Sequence, residues 1–291
     1  MGHNIIMSLL RDKILKNICN QDIENLLEPR IIKAVESTNI LIKKHYQISV
    51  VTTCMNRLSD IKQTFLKNVE DNADYPEAQF VLLNYNSKDG LDDWAKKNLT
   101  GLIKEGRVDY YKTSIPEYYS MTHSRNIAFR MADGELIHSV DADHFTCHGF
   151  CSRMNALANH YQHKTIFVKS KQKNRGRLGF FKKEFIKLGG YDESIIGYGF
   201  DDKDLLFRAA ASGFTVVKYG GDFCRITTDH RRHPVDSYAE EDKDWKYTQR
   251  RNALQSILSI FSKKLVANKG RAWGQTKLIK NFNNEEVIRD N

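Results

Sequence analysis

Short β-like runs recur along residues 48–140, with amphipathic stretches between them. Ile48–Thr53 (ISVVTT), Phe80–Leu83 (FVLL), Val108–Tyr111 (VDYY) and Leu136–Val140 (LIHSV) read as strands because they are short and rich in β-branched or aromatic residues. The stretch through Leu66 and Val69, the one through Trp94 and the one from about Ser124 to Met131 read as helices. Strand and helix in alternation predict an α/β fold, a mainly parallel sheet flanked by helices, whose ligands bind outside the carboxyl ends of the strands. Asn84 and Asp141 both stand at such ends.

For 291 residues one catalytic unit is the expectation. Residues 1–46, polar with Ile14, Ile18, Ile23 and Leu26 set among charges, read as an N-terminal helical extension. The central unit runs over 47–235, and 236–291 read as a C-terminal helical extension. In the latter, Leu254, Ile257, Leu258, Phe261 and Leu265 make one apolar face, for which core packing is the favoured reading and a basic amphipathic membrane contact the minority one.

No stretch approaches the roughly 20 apolar residues needed to cross a bilayer. Five cysteines, an odd count without scaffold-like spacing, agree with a reducing compartment, so a cytoplasmic protein is expected. The net charge of +9 suits nucleic acid, a membrane surface or an anionic substrate alike. Between Lys164 and Lys183 the chain carries eight basic residues and no acid, most simply a solvated loop. With the amphipathic tail, it motivates an expectation of peripheral contact at the inner face of the membrane.

Two acidic clusters carry the candidate chemistry. In Ser139-Val140-Asp141-Ala142-Asp143-His144, two carboxylates leave a strand end at an i, i+2 spacing and can converge on one ion. Oxygen ligands at about 2.0–2.6 Å suit Mg²⁺, Mn²⁺ or Ca²⁺, and such a site completes its shell with substrate phosphates. The triplet alone more often caps a turn; the apolar strand before it shifts the balance. In Gly197-Tyr198-Gly199-Phe200-Asp201-Asp202-Lys203-Asp204, three acids crowd a helix start. Helix capping explains one of them, and adjacent like charges need a further reason. A carboxylate near an acceptor hydroxyl is a general base, and Asp202 is the candidate. His144, Cys147, His148 and Cys151 crowd one short stretch expected to be helical; buried thiols are favoured there over a zinc site.

The order of motifs is more specific than any one of them. SRNIAFRMADGELIHSVDAD (124–143) resembles the Arg-Asn helix, Gly-Glu turn and Asp-X-Asp strand of family 2 glycosyltransferases. GRLGFFKKEFIKLGGYDE (176–193) followed by GYGFDDKDLLFRAAASGF (197–214) resembles the C-terminal motif of the β-1,4-galactosyltransferase and chondroitin-polymerase type. With ISVVTTCMNR and LLNYNSKDG, the resemblance spans about Ile48 to His230. It implies a GT-A, Rossmann-like catalytic domain over 47–235, divided into a nucleotide-binding half (47–143) and an acceptor and catalytic half (144–235).

The resemblance also implies roles. Thr53 and Arg57 would lie against the nucleoside, and Asn84 stands where these families usually carry an Asp that reads the base. Arg125 would contact the nucleotide or its phosphates, Asp141 the ribose or the metal, and Asp143 the metal. Asp202 would be the base, with Asp201 binding acceptor or donor sugar. His230 would complete the metal shell, with His233 as its rival. Gly189-Gly190 would shape the acceptor side, unless the pair is only a helix C-cap. The implied activity is inverting, metal-dependent (Mn²⁺ or Mg²⁺) transfer of a sugar, Gal or GalNAc favoured, from a UDP-sugar to a glycan hydroxyl; the basic loop and the amphipathic tail add the expectation of a lipid-linked saccharide as acceptor. Rival readings are a metal-dependent nucleotidyltransferase or phosphohydrolase and, with less support, a nucleic-acid-binding module.

Overall fold

The computed structural model describes residues 31–36, 40–161, 163–169, 177–220, 225–226, 236–283 and 286–287. In chain order the elements are strand β1 (Ile31–Lys33), β2 (Ile48–Cys54), helix α1 (Leu58–Glu70), β3 (Ala78–Tyr85), α2 (Leu91–Lys104), β4 (Val108–Thr113), α3 (Met121–Met131), β5 (Leu136–Ser139), β6 (His144–Phe145), α4 (Phe150–Tyr161), β7 (Thr165–Lys169), β8 (Leu178–Phe181), α5 (Lys182–Lys187), α6 (Asp201–Ala211), β9 (Thr215–Tyr219), β10 (Arg225–Ile226), α7 (Trp245–Phe261), β11 (Leu278–Lys280) and β12 (Glu286–Val287).

Ten strands form one mixed, mainly parallel sheet in the order β1-β9-β7-β8-β5-β2-β3-β4-β11-β12. Only β8 and β11 run against the rest. β2 and β3 are buried along nearly their whole length, which explains why their sequences are continuous apolar runs: helices cover both sheet faces. Alternate residues serve two cores. Val51, Val81 and Leu83 pack with Ile127 and Phe129 of α3 and Phe207 of α6. Val50, Phe80 and Leu82 pack with Ile61 and Phe65 of α1, Leu91 and Leu99 of α2 and Met154 of α4. A fully buried ring such as Phe65 contributes enough that Phe65→Ala would cost about 3–5 kcal/mol.

The strand order reverses between β2 and β5, which pair in parallel although five elements (α1, β3, α2, β4 and α3) separate them in sequence. That switch point opens a crevice at the strands' carboxyl ends, where the segments after Cys54 and Ser139 face each other.

The alternation of strands and helices over 48–140 is present as expected, and the corrections fall at its edges. Within the stretch expected to be helical before residue 47, Ile31–Lys33 is a strand paired in parallel with β9. Its two isoleucines fit a sheet edge that local helical pattern could not foresee; residues 1–30 lie outside the described residues. The C-terminal extension is also not wholly helical, because β11 pairs antiparallel with β4 and extends the sheet. Asn84 and Tyr85 belong to β3, still in register with Lys112 and Thr113 of β4, and the turn begins one residue later at Asn86 (φ 59). His144, Cys147, His148 and Cys151 do not share a helix: His144 is in β6 and only Cys151 is in α4.

Candidate active site

The loop that follows β5 is fixed before any ligand enters. α1 turns a row of polar side chains toward it at four-residue spacing: Asp60, Thr64 and Asn68, continued by Asn72 just past the helix, all buried. Thr64 Oγ1 donates to Ala142 O at 2.6 Å, and Asn68 Nδ2 donates to His144 O at 2.9 Å while its Oδ1 accepts from Thr146 N at 2.7 Å. Asn72 Oδ1 accepts from Cys151 N at 2.8 Å. Asp143 is thereby held opposite Arg57, whose guanidinium donates to it at 3.2 Å and to Asp60 at 2.5 Å.

Asp141, Asp143 and His144 bring one ligand atom each within 4.8 Å of one another, the one such group among the described residues. The His144 ring is buried with Nδ1 2.8 Å from Asp143 Oδ1, and neither ring nitrogen makes an aligned hydrogen bond among the described residues. A buried imidazole beside two carboxylates is a donor set of the kind that suits Mn²⁺ or Mg²⁺. Burial would raise the Asp143 carboxyl, but His144 and Arg57 outweigh it and hold Asp143 well below the usual carboxylate range, ionised and able to ligate. His144 was grouped in the sequence with cysteines; its adjacency to Asp143 was the signal that identifies it. His230 and His233 lie outside the described residues.

Across the cleft, α6 begins on Phe200 in the left-handed conformation without any side-chain cap, so none of the three acids is a capping residue. They divide by direction. Asp204 turns into the core and pairs with Arg208 at 2.7 Å, both 1% exposed, and Arg208 also donates to Leu188 O and Gly190 O. Asp201 and Asp202 turn to the cleft, where Arg125 of α3 donates to them at 2.5 and 2.7 Å and to Asp141 at 2.9 Å. One guanidinium thus ties the acidic turn of α6 to the end of β5. Its ring-like plane also lies over Tyr191, 5.5 Å from the centroid. Arg125 is 6% exposed, so it faces three carboxylates rather than open solvent.

Burial raises the Asp202 carboxyl to about 7, opposed by Arg125 and reinforced by Asp201 and Asp141. Asp201 is also raised, by burial first and with Arg125 opposing. An acid poised near neutrality beside a cleft is what proton abstraction at neutral pH requires. The two acidic clusters therefore carry opposite electrostatics, Asp143 ionised throughout and Asp202 titratable.

The turn that carries Asp202 is held from outside the sheet. Thr248 Oγ1 of α7 donates to Tyr198 O at 3.0 Å, and Asn252 Nδ2 donates to Ile196 O and Gly199 O at 3.0 and 2.9 Å. Gly197 has φ +76, and a Cβ there would meet Thr248 Cγ2 at 2.8 Å, so the approach needs glycine. Gly189-Gly190 is a helix C-cap in the full sense: Gly189 N bonds Ile186 O and Gly190 N bonds Phe185 O. It is also a close contact, because a Cβ on Gly190 would meet Asn126 Oδ1 and Trp273 at 2.5 Å. Asn126 then fixes the following residues through Tyr191 N, Tyr191 O and Glu193.

Thr53 shares a hydrogen bond with Tyr119 OH at 2.9 Å, at the end of β2. Tyr119, Tyr238 and Tyr198 form an edge-to-face series leading from there toward Asp201. Tyr238 is 3% exposed and its hydroxyl has no hydrogen-bond partner among the described residues. No sequence pattern marked this wall, whose members come from three separated segments. Asn84 is elsewhere: its Nδ2 donates to Tyr110 OH and its Oδ1 accepts from Ser87 N, both at 2.8 Å, so both ends of the side chain are occupied within the protein.

A family model described as the N-terminal domain of galactosyltransferase matches residues 159–233, the stretch that includes the acidic turn of α6. No curated protein sequence matches the chain significantly. Among solved structures, the mannosyltransferase PcManGT from Pyrobaculum calidifontis in complex with GDP-Man and Mn²⁺ is similar at TM-score 0.57 and 14% identity, over 86% of this chain and 82% of that one. S. aureus TarS 1-349 in complex with UDP-GlcNAc is similar at TM-score 0.56 and 12% identity, over 76% and 67%. GalNAc-T7 with UDP, GalNAc and Mn²⁺ is similar at TM-score 0.52 and 12% identity, over 74% and 48%. At such identities the likeness is one of fold, the GT-A fold. Fold and matched segment together support the class of GT-A glycosyltransferases.

Proposed function

We propose that the protein transfers a sugar, Gal or GalNAc, from a UDP-sugar to a hydroxyl of a glycan or lipid-linked saccharide, with inversion at the anomeric carbon. The observation that carries this reading is the position of Asp202: a carboxyl raised to about 7, tied by Arg125 to the strand end that bears Asp141 and Asp143. Asp202 takes the proton of the acceptor hydroxyl, whose oxygen forms the new bond to the anomeric carbon as the bond to the diphosphate breaks. UDP leaves with the bonding electrons. Asp143, Asp141 and His144 are the described residues that would hold Mn²⁺ or Mg²⁺, with His230 a further candidate, and a cation there would offset the charge of the leaving diphosphate. Thr53 and Arg57 line the nucleoside side. Asp201 shares Arg125 with Asp202 and would orient a sugar hydroxyl. The complexes of similar folds with nucleotide sugars and Mn²⁺ support the choice of donor and metal classes.

A thermal-shift panel of UDP, GDP, CDP and TDP with and without Mn²⁺ tests the donor site, because a ligand at 100 times its Kd stabilises by about 2.7 kcal/mol. A shift that needs both UDP and Mn²⁺ is expected. A shift with GDP alone would overturn the uridine assignment. Products of UDP-Gal or UDP-GalNAc turnover separate the rivals: sugar transfer yields UDP, whereas nucleotidyl transfer yields the sugar 1-phosphate and hydrolysis of the diphosphate yields UMP with the sugar 1-phosphate.

A further inference from the structure

α7 is turned inside out relative to an ordinary surface helix. It buries Thr248, Asn252, Ala253 and Ser256, while Leu258 is 59% and Phe261 68% exposed. Core packing, the favoured sequence reading of the face of Leu254, Ile257, Leu258, Phe261 and Leu265, is met by Ile257, which packs against the core with Ile260, a residue outside that face. Tyr247, Arg251, Leu254, Leu258 and Phe261 follow one another at four- and three-residue steps, so they line one side of the helix. Leu254 and Leu258 border an open groove flanked by Arg251 and Lys264. Val266, 47% exposed, lies just beyond the helix.

Charge adds an independent observation. Residues 245–283 contain nine Lys and Arg and no Asp or Glu. Subtracting those nine from 45 leaves 36 basic groups against 36 acidic ones, so this stretch holds the whole net charge of +9. Arg251, Arg271 and Lys280 pair with acids of other segments, whereas Lys263 and Lys264, just past the helix end, are exposed, Lys264 against the groove that Leu254 and Leu258 border. Bare apolar surface would suit a second copy of this chain, and bare positive charge would suit nucleic acid. Their combination on α7 and the turn that follows it is what an anionic lipid surface would engage.

We propose that the outer face of α7 docks on an anionic lipid surface. Leu258 and Phe261 enter the boundary between headgroups and acyl chains, and Lys263 and Lys264 meet lipid phosphates. Because the inner face of the same helix holds the turn that carries Asp202, docking stations the cleft beside the bilayer. A lipid-linked acceptor would be presented there, a consequence that rests on the transferase reading.

Co-sedimentation of the full chain with vesicles of phosphatidylcholine, alone or mixed with phosphatidylglycerol, tests the proposal without donor or metal. Partition to the mixed vesicles and its weakening by salt are expected. Leu258→Ser with Phe261→Ser should lower that partition about tenfold or more, and Lys263→Glu with Lys264→Glu by a similar factor. All four side chains are exposed, so unchanged thermal melts confirm that folding is intact. The proposal is overturned if mixed vesicles do not retain the protein, or if the serine pair binds them as well as the parent. It is equally overturned if the serine pair instead abolishes a concentration-dependent dimer, or if duplex DNA is bound with vesicle binding absent. Since no substrate is present, failure here leaves the transferase reading standing, and failure of turnover leaves vesicle binding standing.

Discussion

α1 and α7 perform the same task on opposite sides of the cleft. α1 holds the loop of Asp141–Thr146 through Thr64 and Asn68, and α7 holds the turn of Ile196–Gly199 through Thr248 and Asn252. In each, polar side chains four residues apart satisfy backbone groups of a segment that lies outside the ten-stranded sheet. The helices differ in what lies beside that row. α1 buries Ile61, Phe65 and Val69 next to it and leaves charged residues such as Lys62 and Glu70 to solvent. α7 buries little apolar surface next to its row and exposes Leu258 and Phe261. The apolar residues of α1 are thus accounted for by the core and those of α7 are not. A clamp needs only its polar row, so the outward residues of α7 call for another explanation.

The largest effect expected from the α7 side is on the group that its clamp presents. Asp202→Asn should lower transfer by about 10²–10⁴-fold while Mn²⁺-dependent UDP binding persists, measured by UDP release and thermal shift. In the parent, kcat/KM should rise with pH through about 7, as Asp202 loses its proton. Its effect on stability follows from the same shift. A folded-state value raised above the unfolded one means that the native state holds more protons between roughly pH 4 and 7. That contribution is present at low pH and lost as pH rises through about 7. Asp202→Asn should therefore melt no lower than the parent at pH 8, and a variant that melts much lower would show that the carboxylate is structural.

Two residues along, the outcome reverses. Asp204→Ala strands Arg208 in the core and should cost about 3–5 kcal/mol of stability, read by denaturant unfolding. Equal stability of Asp204→Ala and the parent would remove the distinction drawn between the two faces of this turn. The clamps themselves come next. Asn68→Ala and Asn252→Ala each leave buried backbone groups without partners, at about 1–3 kcal/mol. Their kinetic signatures should differ: Asn68→Ala raises KM for the donor and the Mn²⁺ requirement, whereas Asn252→Ala lowers kcat. Identical signatures would mean that the two loops do not act separately.

The parts of this arrangement legible in the sequence are those written in local pattern. β2, β3 and β5 show as apolar runs because they are buried on both faces, and Asp141–Asp143 shows because it follows one of them. Arg125, Asp201 and Asp202 were named as separate site residues, and the structure brings them within hydrogen-bonding distance. That contact spans 76 residues and depends on α3 and α6 packing on one core, which no spacing encodes. The polar rows of α1 and α7 were visible as residues and not as clamps. A Thr or Asn among apolar positions at helical spacing reads as surface until its backbone partner is known. Tyr238 was invisible for the same reason, since the tyrosines around it come from distant segments.

Asn84 tests how far a family position carries its role when its surroundings have changed. The resemblance places a base-reading acid there, yet the amide is enclosed in β3, donating to Tyr110 OH and accepting from Ser87 N. Tyr110 OH in turn donates to Asp92. In Asn84→Asp one phenolic proton would have to serve two carboxylates, so one of them would face a lone pair instead of a donor. The expected result is a loss of about 1 kcal/mol in stability, with the UDP dissociation constant unchanged within about threefold. Tenfold tighter UDP binding without loss of stability would show instead that this position reads the base, and would move part of the donor site from the wall of Thr53 and Tyr119 to the end of β3. The small expected effect is informative because the two readings differ in sign: a structural amide loses by gaining charge, and a base-reading position gains.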